Sequence, residues 1–203
     1  MRMNLPNQIT VGRFVLAVAF MVLIARFDHR TLPQTQWMLD WAFWIFVIAA
    51  VSDILDGYLA RKYNQVTSFG RILDPFVDKV LVGGAFVLFL GTGFVDNAGH
   101  NVTNLAAWMV VVIIARELLV TGLRSFSEAG GTPYAANWWG KTKMVVQSFA
   151  IGYIIQTIGA LSHVAWLVQL RPYVLWITMI VTAGSVISYL AASRAALSEQ
   201  ARG

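Results

Sequence analysis

The chain contains no cysteine, only three histidines and five prolines, and little charge: Asp, Glu, Lys and Arg make up 12% of 203 residues. Without cysteine there is no disulfide scaffold and no thiolate zinc centre. The histidines, His29, His100 and His163, are scattered, so no His-rich metal motif exists either. The shortage of charge excludes more. Soluble domains carry about 25% charged residues, and a disordered chain needs high polarity. What is abundant is apolar, 58% of the chain. A net charge of +5 in such a chain points to anionic lipid or a phosphorylated ligand rather than to nucleic acid.

Six long apolar runs stand out, at about 8–26, 37–55, 73–91, 103–123, 142–160 and 172–192. Each approaches the roughly 20 residues that a helix needs to cross a hydrocarbon core. The expected fold is therefore an all-α integral membrane protein with six transmembrane helices and one domain, 1–203. Eight tryptophans lie mostly towards run ends, where interfacial aromatics belong. Arg13 interrupts the first run. A signal peptide is its rival reading, but Ala25-Arg26-Phe27-Asp28 is a poor small-residue cleavage site. The residues before it, Met1–Asn7, are expected to lie along the membrane surface. Segments 57–72 and 124–143 hold Arg61, Lys62, Arg71, Arg124, Lys141 and Lys143, while loop 92–104 has no Lys or Arg. The positive-inside rule makes the basic side cytoplasmic and, with six spans, places both termini there.

Ten residues are acidic, and four of them, Asp53, Asp56, Asp74 and Asp78, crowd the basic-side ends of runs two and three. A carboxylate costs about 2.5–3.5 kcal/mol at mid-membrane on insertion scales, and less near an interface. Four together repel one another unless a cation neutralises them. On a helix Asp53 and Asp56 lie about 60° apart, and Gly57 and Ala60 share their arc. Gly70, Asp74 and Asp78 form a second stripe at i, i+4, i+8. Two such faces meeting would converge four carboxylates on one pocket, a donor set that suits Mg²⁺ or Mn²⁺. Arg61, at the edge, would face a phosphate with its planar fork. Interfacial salt bridges, or the ion path of a cation-coupled transporter, are the competing explanations. Transporter acids, however, usually sit near the bilayer midplane on broken helices.

Asp53-x2-Asp56-Gly57-x2-Ala60-Arg61-x8-Gly70-x3-Asp74-x3-Asp78 resembles, without a departure, the signature of the CDP-alcohol phosphotransferases. Eight fixed positions at ordinary usage match by chance on the order of once in ten billion starts. The resemblance implies a metal-dependent enzyme that moves a phosphatidyl group from CDP-diacylglycerol to an alcohol and releases CMP. It implies that Asp53, Asp56, Asp74 and Asp78 hold metal, two ions of Mg²⁺ or Mn²⁺, with Asp78 also the base for the attacking hydroxyl. It assigns Gly57, Ala60, Arg61 and Gly70 to CDP-diacylglycerol.

Flanking features narrow the acceptor. They are Asn4-Leu5-Pro6-Asn7-Gln8-Ile9-Thr10 with Arg13, then Asp74-Pro75-Phe76-Val77-Asp78-Lys79, Ala115-Arg116-Glu117, Arg124 and Gly140-Lys141-Thr142-Lys143. By resemblance they point to glycerol 3-phosphate, making the product phosphatidylglycerophosphate. A phosphorylated acceptor needs a second basic cluster. Arg116, which interrupts an apolar run, is the first candidate, with Arg124 two turns on and Lys141 beyond. Lys141 and Lys143 are about 200° apart on a helix, so Lys143 is expected to anchor lipid headgroups instead. Arg13 is a further candidate from the first helix, and Glu117 a partner for Arg116. A sister enzyme using inositol phosphate or serine is the nearest alternative. A homodimer is expected from the resemblance, and a bacterial plasma membrane from the compact chain.

Overall fold

The computed structural model describes residues 5–62, 68–129 and 138–200; within them, the side chains of 5–6, 54, 56–62, 68–72, 126–129 and 190–200 lie outside the description. The described residues form six α-helices: α1 Leu5–Arg26, α2 Leu32–Lys62, α3 Ser68–Leu88, α4 Ala107–Ala129, α5 Trp138–Ile158 and α6 Ala165–Gln200. Each overlaps one of the six apolar runs. Among the described residues there is no strand, only an isolated bridge between Val95 and Asn101. The all-α expectation holds.

The helices outrun the apolar stretches that reveal them. α2 has 31 residues, about 46 Å at 1.5 Å per residue, against a hydrocarbon core of about 30 Å. Its last turns, from Asp53 to Arg61, carry the first half of the acidic signature, and the first turns of α3 carry the second. Residues 5–7, expected to lie apart on the surface, open α1 without a break. Pro6 is tolerated there because first-turn N–H groups have no helical partner. Among the described residues, three stretches are long and apolar enough to cross a membrane: Asn7–Arg26, His29–Asp53 and Ala165–Tyr189.

Outward-facing side chains have the character expected of a surface in lipid. On α2, Trp37, Trp41, Trp44, Ile48, Val51 and Leu55 form one exposed stripe at helical spacing. All eight tryptophans are exposed, none below 41%. Water would penalise such a surface; hydrocarbon does not. The chain is a membrane protein by this surface and by its apolar helices.

Internal contacts divide the chain into two units, residues 1–105 with 151–171, and residues 106–150 with 172–203. In the first, α1 packs on α2 and α3. Its buried stripes run Ala17, Phe20, Ile24 on α1, Leu39, Ala42, Phe46, Ala49 on α2, and Val77, Leu81, Ala85 on α3. The alanines let helix backbones approach closely, which is how membrane helices gain packing. Phe20 meets Phe46 with ring centres 5.5 Å apart, and Phe27 meets Phe94 at 5.0 Å. Gly93 is required here: a Cβ on it would collide with the carbonyl oxygen of Phe27.

The loop after α3 belongs to the same unit and is tied down by Arg171, which is 4% exposed. Its Nε donates to Thr157 Oγ1 and its Nη2 to the Thr157 carbonyl, both at 2.9 Å. Its Nη1 donates to the Val102 carbonyl. One guanidinium thus satisfies the Thr157 carbonyl in the last turn of α5 and holds the loop. Within the loop, Asp96 Oδ1 accepts from the N–H groups of Ala98 and His100, each at 2.9 Å.

Candidate active site

In the first unit each of three buried stripes ends in polar residues. On α1 the stripe Phe20, Ala17 continues at the same spacing to Arg13 and Thr10, which are 2% and 1% exposed. On α2 the stripe Phe46, Ala49 continues to Asp53. On α3 the stripe Leu81, Val77 continues to Asp74. Helical periodicity alone therefore carries all four side chains to one end of the same core.

There they meet. Arg13 Nη1 forms an ion pair with Asp53 Oδ1, and Arg13 Nη2 lies 3.4 Å from Asp74 Oδ1. Thr10 Oγ1 donates to Asp74 Oδ1 at 2.7 Å. Carboxylates from α2 and α3 thus converge on one guanidinium supplied by α1. Asp78, one turn beyond Asp74, is half-buried. Pro75 breaks one rung of the α3 hydrogen-bond ladder between them. Among the described residues no group of three metal-ligating side chains assembles. The side chains of Asp56, Gly57, Ala60, Arg61 and Gly70 lie outside the described ones.

The Asp53 and Asp74 carboxylates fit a hard divalent ion. They offer oxygen donors only, they come from two helices to one point, and a cation already bridges them. Arg13, a further candidate for the acceptor phosphate, lies between the acids. Its helical register with Ala17 and Phe20 was the available signal, together with the rule that a charge within a membrane helix needs a partner.

The second unit holds a different cluster. Arg116 lies on the buried stripe of α4 with Met109, Ile113 and Val120 and is 5% exposed. Its Nε donates to Ser185 Oγ at 2.8 Å, and its Nη1 lies 3.2 Å from Glu117 Oε1. Lys143 Nζ reaches the same Glu117 oxygen at 2.6 Å. The Arg116 guanidinium lies 5.5 Å from the ring centre of Tyr189, a cation–π distance. Gly140 leaves room for that ring, since a Cβ there would stand 2.7 Å from Tyr189 Oη. Gln147, fully buried, donates to Thr182 Oγ1 at 3.1 Å. Arg116 Nη2 and Gln147 Oε1 have no hydrogen-bond partner among the described residues.

Two cations share one acid here, so the cluster carries one surplus positive charge. Glu117 is the partner of Arg116, as its adjacency suggests. Lys143 departs from expectation. It is 5% exposed and ion-paired inside the unit, so it is not a headgroup anchor. Lys141 and Arg124 are exposed. The expected opposition of Lys141 and Lys143 on the helix is present, with Lys143 on the inner side.

Apolar helices with paired acids fit a membrane transferase or an ion path alike, and comparison with known proteins decides for the transferase. Residues 3–195 match the model of the CDP-alcohol phosphatidyltransferase family, and the chain belongs to that family, whose members generally use divalent metal ions. Among its relatives is a protein of Bacillus subtilis (strain 168), 39% identical over 157 residues, covering 75% of this chain and 76% of the relative. One from Rickettsia bellii is 33% identical over 94% of this chain and 96% of its own. Another from Haemophilus influenzae is 32% identical over 97% of both. All three bear the name CDP-diacylglycerol–glycerol-3-phosphate 3-phosphatidyltransferase.

Proposed function

We propose that this protein transfers the phosphatidyl group of CDP-diacylglycerol to sn-glycerol 3-phosphate, releasing CMP and forming phosphatidylglycerophosphate. The observation that carries this reading is the likeness, over nearly the whole chain, to relatives bearing that enzyme name. The unbroken signature on α2 and α3 agrees with it.

In this reading the chain is one catalytic domain whose six helices all span the plasma membrane of a bacterium. Both termini and the acidic site lie on the cytoplasmic side, and two copies associate. The cluster of Lys and Arg in 57–72 and 124–143 supports that orientation. A site at this interface serves a charged nucleotide from the cytoplasm and acyl tails in the leaflet without moving charge through lipid.

Asp53, Asp56, Asp74 and Asp78 hold the metal, Mg²⁺ or Mn²⁺ and two ions in number. When bound, these ions supply Lewis acidity that offsets the charge growing on the diphosphate. Gly57, Ala60 and Gly70 let the CDP moiety approach helix backbone, and Arg61 pairs with its phosphate oxygens. Arg116, Arg124 and Lys141 bind the acceptor phosphate. The surplus charge of the Arg116–Glu117–Lys143 cluster supports that role, as does Arg116 Nη2, which has no hydrogen-bond partner among the described residues. The acceptor hydroxyl attacks the β-phosphorus and its proton passes to Asp78. The bond from that phosphorus to CMP breaks, and the electron pair leaves with CMP. Its position, one turn from Asp74 on α3, suits Asp78 to this work.

Purified protein supplied with CDP-diacylglycerol, Mg²⁺ and one acceptor at a time tests this directly. CMP release with glycerol 3-phosphate is expected. Release only with serine or inositol phosphate would keep the family and change the acceptor. Metal-dependent ion uptake into vesicles with no CMP release would favour a transporter.

A further inference from the structure

Arg13 stands outside the acidic signature, yet it holds two of its members. It is 2% exposed and contacts Asp53 from α2 and Asp74 from α3. Its Nη2 also donates to the Asp74 carbonyl at 3.5 Å, and Thr10, one turn earlier, secures Asp74 Oδ1. The guanidinium is buried while the Asp53 and Asp74 side chains are partly exposed. Two carboxylates held this close repel each other, and a buried cation needs an acid, so each offsets the cost of the other. The guanidinium supplies the positive charge with a fork able to span both. A divalent ion bound by Asp53 and Asp74 draws on these same carboxylates, and a cation only a few ångströms away also repels it.

We propose that Arg13 is the resident counter-cation of the acidic site. Without metal it keeps Asp53 and Asp74 in register. When a divalent ion arrives, Arg13 gives up carboxylate oxygens to it and thereby sets the metal affinity. Arg13 is a positioning residue in this scheme. The inference rests on the reading that Asp53 and Asp74 hold metal.

The test is titration of the full-length protein in detergent with Mn²⁺ alone, free Mn²⁺ being read by electron paramagnetic resonance, with melting curves in parallel. Arg13→Gln is expected to bind Mn²⁺ about tenfold tighter than the wild type. It should melt lower without metal and gain more from Mn²⁺ on melting. Arg13→Lys keeps the charge but not the fork that spans both carboxylates, and its Mn²⁺ affinity should fall between those of the wild type and Arg13→Gln. Equal or weaker Mn²⁺ binding by Arg13→Gln, with wild-type binding intact, overturns the inference alone. If Asp53→Asn and Asp74→Asn leave wild-type Mn²⁺ binding unchanged, the metal reading falls and the inference with it. Should Arg13→Gln fold only in the presence of Mn²⁺, the ion has replaced the guanidinium, as proposed. Failure to fold even at saturating Mn²⁺ overturns the proposal.

Discussion

The two units solve the same problem, burying charge within apolar helices, with opposite signs. In the first, one arginine serves two carboxylates, leaving a deficit of positive charge. In the second, one glutamate serves an arginine and a lysine, leaving a surplus. Their linings differ too. The first core is aromatic and aliphatic up to its charged end, with Phe20, Phe46, Phe86 and Phe89 fully buried or nearly so. The second threads hydroxyls along α6, at Thr178, Thr182 and Ser185. There Ser185 donates to the Thr182 carbonyl at 2.6 Å while accepting from Arg116. An apolar core ending in acids needs a cation. A polar core with spare positive charge needs an anion. In the proposed reading the acidic cluster serves the metal and the basic cluster the acceptor phosphate.

The strongest way to break this comparison is at the acidic end. Asp78→Asn is expected to lower CMP release by about 10²–10⁴-fold, the range for loss of a general base, while CDP-diacylglycerol still binds. Turnover near wild type would remove Asp78 from the base role. At the basic cluster, Arg116→Ala should raise KM for glycerol 3-phosphate by about a hundredfold, from loss of a buried charge-assisted contact. KM for CDP-diacylglycerol should change little. Equal effects on both substrates would make Arg116 structural.

Glu117→Gln sharpens the difference in sign. It leaves Arg116 and Lys143 buried without their shared acid, and should cost about 3–5 kcal/mol of stability, read as a lower melting temperature. Lys143→Met in the same background should recover part of that loss, since it removes one of the two stranded charges. No recovery would mean the ion pair does not hold the cluster.

The smallest effect is expected far from both clusters, in the loop after α3. The His100 N–H, more than any other contact, holds the Asp96 carboxyl below its ordinary value of 3.8, and the Ala98 N–H acts in the same direction. A lowered pKa means that the folded loop prefers the carboxylate. The contribution is full above 3.8 and is lost as pH falls through the lower folded value. The protection of the His100 amide, taken relative to its intrinsic exchange rate, should therefore fall only in that acidic range, and Asp96→Asn should abolish that fall.

The amino-acid sequence by itself determined much of this protein. The apolar runs locate all six helices, because a chain this poor in charge must bury or bathe them in hydrocarbon. Spacing at i, i+3 and i+4 puts Asp53 and Asp74 on the inner faces of α2 and α3, and the opposition of Lys141 and Lys143 is equally a matter of angle. What periodicity cannot supply is the neighbour. That Arg13 pairs with Asp53 and with Asp74, the latter 61 residues away, depends on α1 lying against α2 and α3. That Lys143 rather than Lys141 turns inward depends on where Glu117 stands on another helix. Charges buried in apolar surroundings must find partners, but only the packing of helices decides which partners are within reach.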